Sequence, residues 1–443
     1  MRCATRDGGM TMADLARSDA VLTRYRSLVD GGTPPSEWAF AWRTEINRGG
    51  FDAYDFLMRE VVDTGKCVGC AACVTICPTD VFDYVNEEPV DTRGEACVHC
   101  VLCADVCPVL SPPDHTIADV VHYREPKLDE GYGIYSYEYL VRATKPEIAA
   151  RAQDGGLISA ILLHQLEQGG INGAVVGDIL PDDPQVGTHL LATTPDEILN
   201  ARGSRYTYSP NTVALSEAIE RDIKPIAVVG VPCQVDGIRQ QQHSGIRLAM
   251  NKWYRENIKL VLGLFCSEAF THESIAAIAR DYGRDRKEID NINIKGKVII
   301  RFTDGVVEER SLKEFQQYAR PACLYCQDYA TDQADIGAGG IGLDGWTYTV
   351  VRTEAGHEAF QACLDDGWLE VRPVSDAPRS KPLLQRLSGF KRDKLPPPLL
   401  PTVEERRATG QMDPKGFRLS KMKKKAEEEA AAKAAAAANG NAG

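Results

Sequence analysis

Cys67-Val68-Gly69-Cys70-Ala71-Ala72-Cys73-Val74-Thr75-Ile76-Cys77-Pro78 and, further on, Cys97-Val98-His99-Cys100-Val101-Leu102-Cys103-Ala104-Asp105-Val106-Cys107-Pro108 are one pattern written twice. A cubane [4Fe-4S] cluster needs four thiolates converging on a small volume. Cysteines at every third residue supply three from one loop, and in this spacing the fourth cysteine of each run crosses to the other cluster. The pattern therefore predicts that Cys67, Cys70, Cys73 and Cys107 hold one cluster, and Cys97, Cys100, Cys103 and Cys77 a second. Pro78 and Pro108 end each run, because proline cannot extend a helix and fixes its own φ. Gly69, Ala71, Ala72, Val101 and Leu102 keep the ligand loops small and apolar, so backbone amides can reach sulfur and tune its potential. A structural zinc site would leave paired CxxC elements instead of two four-cysteine runs. A disulfide framework belongs to short secreted chains, and nothing here resembles a signal peptide.

Around this ferredoxin-like run lies far more chain than two clusters need. With 443 residues there is room for two or three domains. A hydrophobic fraction of 43% with 7% aromatics suits a globular protein, and no apolar run reaches membrane-spanning length. The net charge of −12 argues against nucleic acid as a partner. Lys421, Lys423, Lys424 and Lys425 are followed at once by Glu427, Glu428 and Glu429, which makes a mixed-charge face and not a lipid-binding patch. Fourteen cysteines without a secretory segment imply a reducing cytoplasm.

The expected organisation has five parts. Residues 1–60 form a helical extension, with helices near Ala13–Val29 and Phe51–Asp63 around the Gly31-Gly32-Thr33-Pro34-Pro35 break. Residues 61–112 are the two-cluster ferredoxin, and 113–150, rich in tyrosine, a linker. Residues 151–385 read as an α/β domain: a helix Leu157–Gln168 stopped by Gly169-Gly170, then apolar strands Gly173–Ile179, Pro225–Val231 and Ile258–Phe265. Residues 386–443 are a proline-rich segment and a Lys/Glu/Ala tail. The fold class is thus multidomain α+β and α/β, with a mostly parallel sheet covered on both faces. Ligands of such sheets sit outside the carboxyl ends of the strands, where Cys233 and Cys266 emerge.

Six cysteines remain: Cys3, Cys233, Cys266, Cys323, Cys326 and Cys363. Cys323 and Cys326 form a CxxC pair in Arg320-Pro321-Ala322-Cys323-Leu324-Tyr325-Cys326. With Cys233 and Cys266 they suffice for a third cluster. By spacing alone they read equally well as a redox couple or zinc half-site beside two small buried hydrophobes. Three glycine-bearing loops stand out: Gln153-Asp154-Gly155-Gly156 before a helix, which could cradle a phosphate; Ala201–Asn211, with a cation, hydroxyls and rings; and Gly337–Gly342 with Asp344-Gly345-Trp346. None fits the dinucleotide fingerprint after a strand. A flavin, which joins one-electron clusters to two-electron chemistry, suits them together.

At these residues the chain resembles a known family. Ala152–Gly156, Gly203–Asn211, Val231-Pro232-Cys233-Gln234 with Gly237-Ile238-Arg239, Leu264-Phe265-Cys266, Cys323-x2-Cys326 with Asp328-Tyr329, Asp335-Ile336, and Gly342-x2-Asp344-Gly345-Trp346 are similar to the family of coenzyme F-420 hydrogenase/dehydrogenase beta subunits. The resemblance implies an FAD, a third [4Fe-4S] cluster on Cys233, Cys266, Cys323 and Cys326, and hydride exchange between FAD and coenzyme F-420 as substrate. It implies FAD contacts at Asp154, Gly155, Gly156, Ser204, Arg205, Tyr206, Ser209 and Asn211. Lys295 and Lys297 would meet the acidic tail of F-420, although Val298 stands where the family often has an aromatic. No side chain is expected to act as nucleophile. The implied partner is a hydrogenase, a formate dehydrogenase or another redox subunit in a hetero-oligomer, in the cytoplasm or peripheral to a membrane complex. The competing readings are the same module with another two-electron substrate, or a non-catalytic electron-transfer subunit.

Overall fold

The structure, a computed structural model, describes residues 53–110, 128–150, 152–201, 203–243, 249–294, 296–316 and 319–393. The helix expected at Ala13–Val29, the first part of the linker, Cys3, Lys295 and the tail from 394 onward lie outside them.

The duplicated ligand run folds as a duplicated backbone. The first copy enters the left-handed region at Gly69 (φ 73°) and Ala71 (φ 57°), then makes the one-turn helix Ala72–Thr75. In the second copy His99 (φ 51°) and Val101 (φ 62°) take the same two positions before Leu102–Asp105. Between the copies, β1 (Phe82–Val85) and β2 (Glu88–Asp91) form a hairpin. Its two turn residues, Asn86 and Glu87, both have positive φ, as a tight hairpin turn of the favoured hand requires. The helical segment from Ala53 to Val62 packs Phe56, Leu57 and Val61 into one apolar cluster with Val81, Phe82 and Cys107.

After the short ladder of β3 (Leu128–Asp129) and β4 (Ile134–Tyr135) comes β5 (Tyr137–Ala143), the first strand of an eight-stranded sheet. The others are β6 (Gly173–Leu180), β7 (Asp183–Ala192), β8 (Ile226–Gly230), β9 (Ile258–Leu264), β13 (Ile336–Gly339), β14 (Thr347–Val351) and β15 (Leu369–Arg372). Their order is β15-β5-β14-β13-β9-β8-β6-β7. Between β9 and β13 the chain inserts a helix, His272–Asp281, and a three-stranded antiparallel sheet of β10 (Ile289–Ile294), β11 (Lys297–Phe302) and β12 (Val307–Ser311).

The mostly parallel sheet expected from the sequence is in fact mixed. β13, β9, β8 and β6 are parallel neighbours at its centre, while β7 pairs antiparallel with β6 on one side, and β14 with β13, β5 with β14 and β15 with β5 pair antiparallel on the other. Connection length decides two of these pairs, β6–β7 and β13–β14. Parallel neighbours need a crossover of a dozen or more residues, and the short 181–182 and 340–346 links can join only antiparallel ones.

Two further expectations need correcting. The 113–150 linker contains β5, whose Tyr139 stacks on Phe360 and Tyr137 on His357, so the α/β domain starts before 151. The domain also continues past 385, because the helix Ser380–Arg392 packs Leu384 beside Tyr132 and Tyr348.

Both faces of the central strands are buried. Ala227 and Val229 of β8 join a core with the helices Leu157–Glu167 and Glu354–Asp365, while Ile226 and Val228 face Leu215, Val235 and Ile238. Double burial explains why these strands read as unbroken apolar runs, each fully buried Val, Ile or Leu contributing on the order of 1.5–3 kcal/mol. The second core continues without a break into the ferredoxin fold through Cys70, Ala72, Ile76, Leu102 and Val106. Polar contacts fix the docking: Gln241 donates to the Ala72 carbonyl (3.1 Å) and Thr75 (2.7 Å), Tyr254 donates to the Thr75 carbonyl (2.8 Å), and Thr212 donates to the Cys70 carbonyl.

Candidate functional site

The structure brings the ferredoxin cysteines together from both runs, with Cys73 also near Cys103. Cys67, Cys70 and Cys73 each face Cys107 across the domain, while Cys103 faces Cys100, Cys97 and Cys77. Burial pushes the Cys67 thiol up to about 12 and raises Cys70, Cys73, Cys103 and Cys107 as well. Backbone amides oppose this by donating to sulfur: Gly69 to Cys67, Ala72 to Cys70, Ala104 to Cys103, and Val109 and Leu110 to Cys107. Val81 N donates to the Cys77 sulfur at 3.3 Å. Buried thiols with inward amides fit an iron–sulfur group, which displaces the thiol protons and takes the amide bonds over. The second set lines an apolar cavity with Val81 and Leu102.

A third set forms at the carboxyl ends of β8 and β9. Cys233 opens the helix Pro232–His243, Cys266 follows β9, and Cys323 and Cys326 come from the turn Pro321–Leu324 and its exit. The structure brings these four together: Cys233 faces Cys326, Cys266 and Cys323, and Cys266 faces Cys323 and Cys326. Here too burial raises the thiols of Cys233, Cys266 and Cys326, that of Cys266 up to about 12. Ala269 N donates to the Cys323 sulfur at 3.4 Å, and Lys391 Nζ to the Cys326 sulfur at 3.3 Å. Burial disfavours the Lys391 charge, but Cys326, Cys266 and Cys323 outweigh it and hold the ammonium well above its usual range.

The third set abuts the first. A Cβ placed on Gly237, one turn beyond Cys233, would lie 3.2 Å from the Cys70 sulfur. A side chain there would have to push Cys70 or Ala72 aside by a few tenths of an ångström. Tyr208 fills the adjoining space, 3% exposed and facing both Cys233 and Cys70. Arg320 stacks over its ring at 4.2 Å.

The residues expected to contact FAD divide into two groups. Asp154 lies over Gly340 and faces Tyr206, whose hydroxyl accepts from Ile294 N at 3.1 Å, so the β10–β11 hairpin tip closes on the same place. Gly156 (φ 79°) starts the helix Leu157–Glu167. Arg205 is held by the Ala201 carbonyl (2.9 Å) and Asp178 (3.8 Å), with its Nε buried and unpartnered. Ser204 is exposed. The second group is engaged within the fold. Gly155 donates to Thr347 Oγ1 and its carbonyl accepts from Ala143. Ser209 donates to the Thr188 carbonyl (2.5 Å), and its own carbonyl accepts from Gln234 (2.7 Å). Asn211 Nδ2 donates to the Val229 carbonyl (2.9 Å), leaving its buried Oδ1 unpartnered. These bonds tie the 204–211 loop to the helix that carries Cys233. Lys297 is exposed and paired with Glu309 at 2.5 Å; Lys295 lies outside the described residues.

Sequence reasoning missed Arg320, Lys391 and the position of Tyr208. A cation three residues before Cys323 was the one local sign of the first. Lys391 had none.

The chain is similar to known proteins in sequence and fold. Family models described as coenzyme F-420 hydrogenase/dehydrogenase, beta subunit, match residues 139–216 (N-term) and 223–377 (C terminus), and a 4Fe-4S dicluster domain matches 66–111. The coenzyme F-420 hydrogenase subunit beta of Methanococcus voltae is 34% identical over 267 residues, covering 59% of this chain and 93% of that protein. The counterpart from Methanosarcina barkeri is 33% identical over 273 residues, covering 61% and 91%. A chain of the F-420-reducing [NiFe] hydrogenase complex from Methanosarcina barkeri superposes with a TM-score of 0.57 at 32% identity, covering 65% of this chain and 98% of that one.

Proposed function

Because the chain belongs to the family of coenzyme F-420 hydrogenase/dehydrogenase beta subunits and carries a 4Fe-4S dicluster domain, we propose that it is an FAD-containing oxidoreductase component passing electrons between coenzyme F-420 and a redox partner. A third [4Fe-4S] cluster on Cys233, Cys266, Cys323 and Cys326 would link the flavin to the ferredoxin fold. The observation that carries this reading is the close seat of the Cys233 helix on Cys70 at Gly237. It gives electrons a short route from the α/β domain into the ferredoxin.

Bound FAD would supply the change between two-electron hydride chemistry and single-electron transfer. The chain's own residues do the rest by position. Amides at the Leu157–Glu167 N-terminus would face an anion such as a diphosphate, and the buried Arg205 Nε and Asn211 Oδ1, which have no hydrogen-bond partner within the fold, would supply a donor and an acceptor. Tyr206 and Asp154 lie close to one another on the β10–β11 side. Lys297 would exchange Glu309 for the acidic tail of F-420. The redox partner would be a hydrogenase, a formate dehydrogenase or a similar subunit in a hetero-oligomer. Among the described residues no helix is long and apolar enough to cross a membrane. The protein would work in the cytoplasm, including at the periphery of a membrane complex.

The test is anaerobic reconstitution followed by iron and flavin determination and an F-420 absorbance assay against viologen. About twelve irons per chain (three clusters of four), one FAD and F-420 bleaching are expected. A value near eight irons removes the third cluster. Full cofactor loading without F-420 turnover overturns the substrate.

A further inference from the structure

Where the ferredoxin fold meets the third cysteine set, one arginine is buried against both. The Arg320 side chain is 5% exposed, and its Nε pairs with Glu87 Oε2 at 3.0 Å. Nη1 donates to the Val68 carbonyl at 2.9 Å, inside the Cys67–Cys70 loop. Nη2 lies 2.9 Å from where a Gly69 Cβ would stand. The guanidinium plane covers Tyr208 at 4.2 Å. The backbone is equally fixed: Arg320 N donates to the Ala269 carbonyl (2.8 Å), and its own carbonyl accepts from Cys323 N (3.0 Å). The charge acts on Cys67 from one side and Cys323 from the other.

We propose that Arg320 is a positioning residue that sets the electron affinity of the first and third clusters together, as a shared countercharge at their junction, with Glu87 as its counterweight. The inference rests on the third cluster proposed above. The step it acts on is the exchange of one electron between the two clusters, one oxidised as the other is reduced, with no bond made or broken. Reduction adds negative charge to a site that excludes water, where a fixed cation acts far more strongly than in solvent. A cation serving both sites favours their reduction together, so the step between them stays nearly level. Glu87 offsets part of that effect. Arginine suits the place because its fork bonds Val68 and Glu87 while its flat face stacks on Tyr208, which a lysine cannot do at once.

The test is an anaerobic potentiometric EPR titration of the reconstituted full chain and three variants, with iron determined alongside. In Arg320→Gln the signals of the first and third clusters should move to more negative potential, by about a tenfold change in each reduction equilibrium. The cluster on Cys77, Cys97, Cys100 and Cys103 should stay in place. Arg320→Lys should restore most of the shift. Glu87→Gln should move the same two signals the opposite way. A merely structural role does not predict opposite signs. If Arg320→Gln fails to load iron, Glu87→Gln decides: a positive shift supports the proposal, and no shift or a negative one overturns it. Unchanged potentials at full iron content overturn it while leaving the third cluster intact. Wild-type protein with two signals and about eight irons overturns the third cluster, and the shared role with it.

Discussion

Gly69 shows how much one position can carry. Its φ of 73° turns the first ligand loop, its carbonyl accepts from Tyr84 (2.7 Å), and its missing side chain leaves room for the Glu87 carbonyl, Arg320 and Tyr208. Gly69→Ala is expected to cost about 1–2 kcal/mol in backbone conformation alone, plus displacement of Arg320. Thermal unfolding would show the loss, and iron analysis should show the first cluster failing before the second. The cysteine ligands were legible because one loop supplies three of them in a local pattern. Arg320 and Lys391 were not, because what makes them matter arrives from elsewhere in the chain: Val68 and Glu87 for one, Cys326 for the other.

Two helices translate sequence into site geometry. Pro232–His243 carries Cys233, the close approach at Gly237, and Arg239, whose buried ion pair with Asp335 (2.8 Å) anchors it beside β13. At its end His243 is driven down to about 4, first by burial and then by Arg239 and Arg255. The folded chain therefore binds this proton less readily than the unfolded chain, whose imidazole titrates near 6.5. Stability should fall as pH drops from about 6.5 toward 4, by about 1–2 kcal/mol after discounting for partial exposure. His243→Gln should flatten that limb in urea unfolding at pH 5 against pH 7. The helix Ser380–Arg392 binds through Lys381 to Glu130 and Glu138, Arg392 to Asp332 and Lys391 to Cys326. A chain ending at Arg379 should load about four irons fewer than the full chain and keep the ferredoxin signals. The central strands were legible from their apolar runs. β5 was not, because its tyrosines and Glu138 imitate a polar linker until Phe360 and His357 pack against them. Strand direction escaped too, since composition does not encode it; short connections set it for β6–β7 and β13–β14.

Across the whole molecule, one apolar core runs from the sheet into the ferredoxin fold, so the two act as a single body and not as tethered modules. Gln241, Tyr254 and Thr212 reinforce the joint. Gln241→Leu removes the donor to the buried Thr75 hydroxyl and leaves the Ala72 carbonyl only its Ile76 amide, and should lower stability by about 1–3 kcal/mol as read by urea unfolding. The crossed cysteines carry this unity into maturation. Cys107 serves the first set and Cys77 the second, so a chain that has received only one cluster must hold it with a ligand whose own loop is still unformed. Half-loaded chains are penalised on both sides. A population matured under iron limitation should therefore divide into ferredoxin folds that are filled and ferredoxin folds that are empty, with few in between.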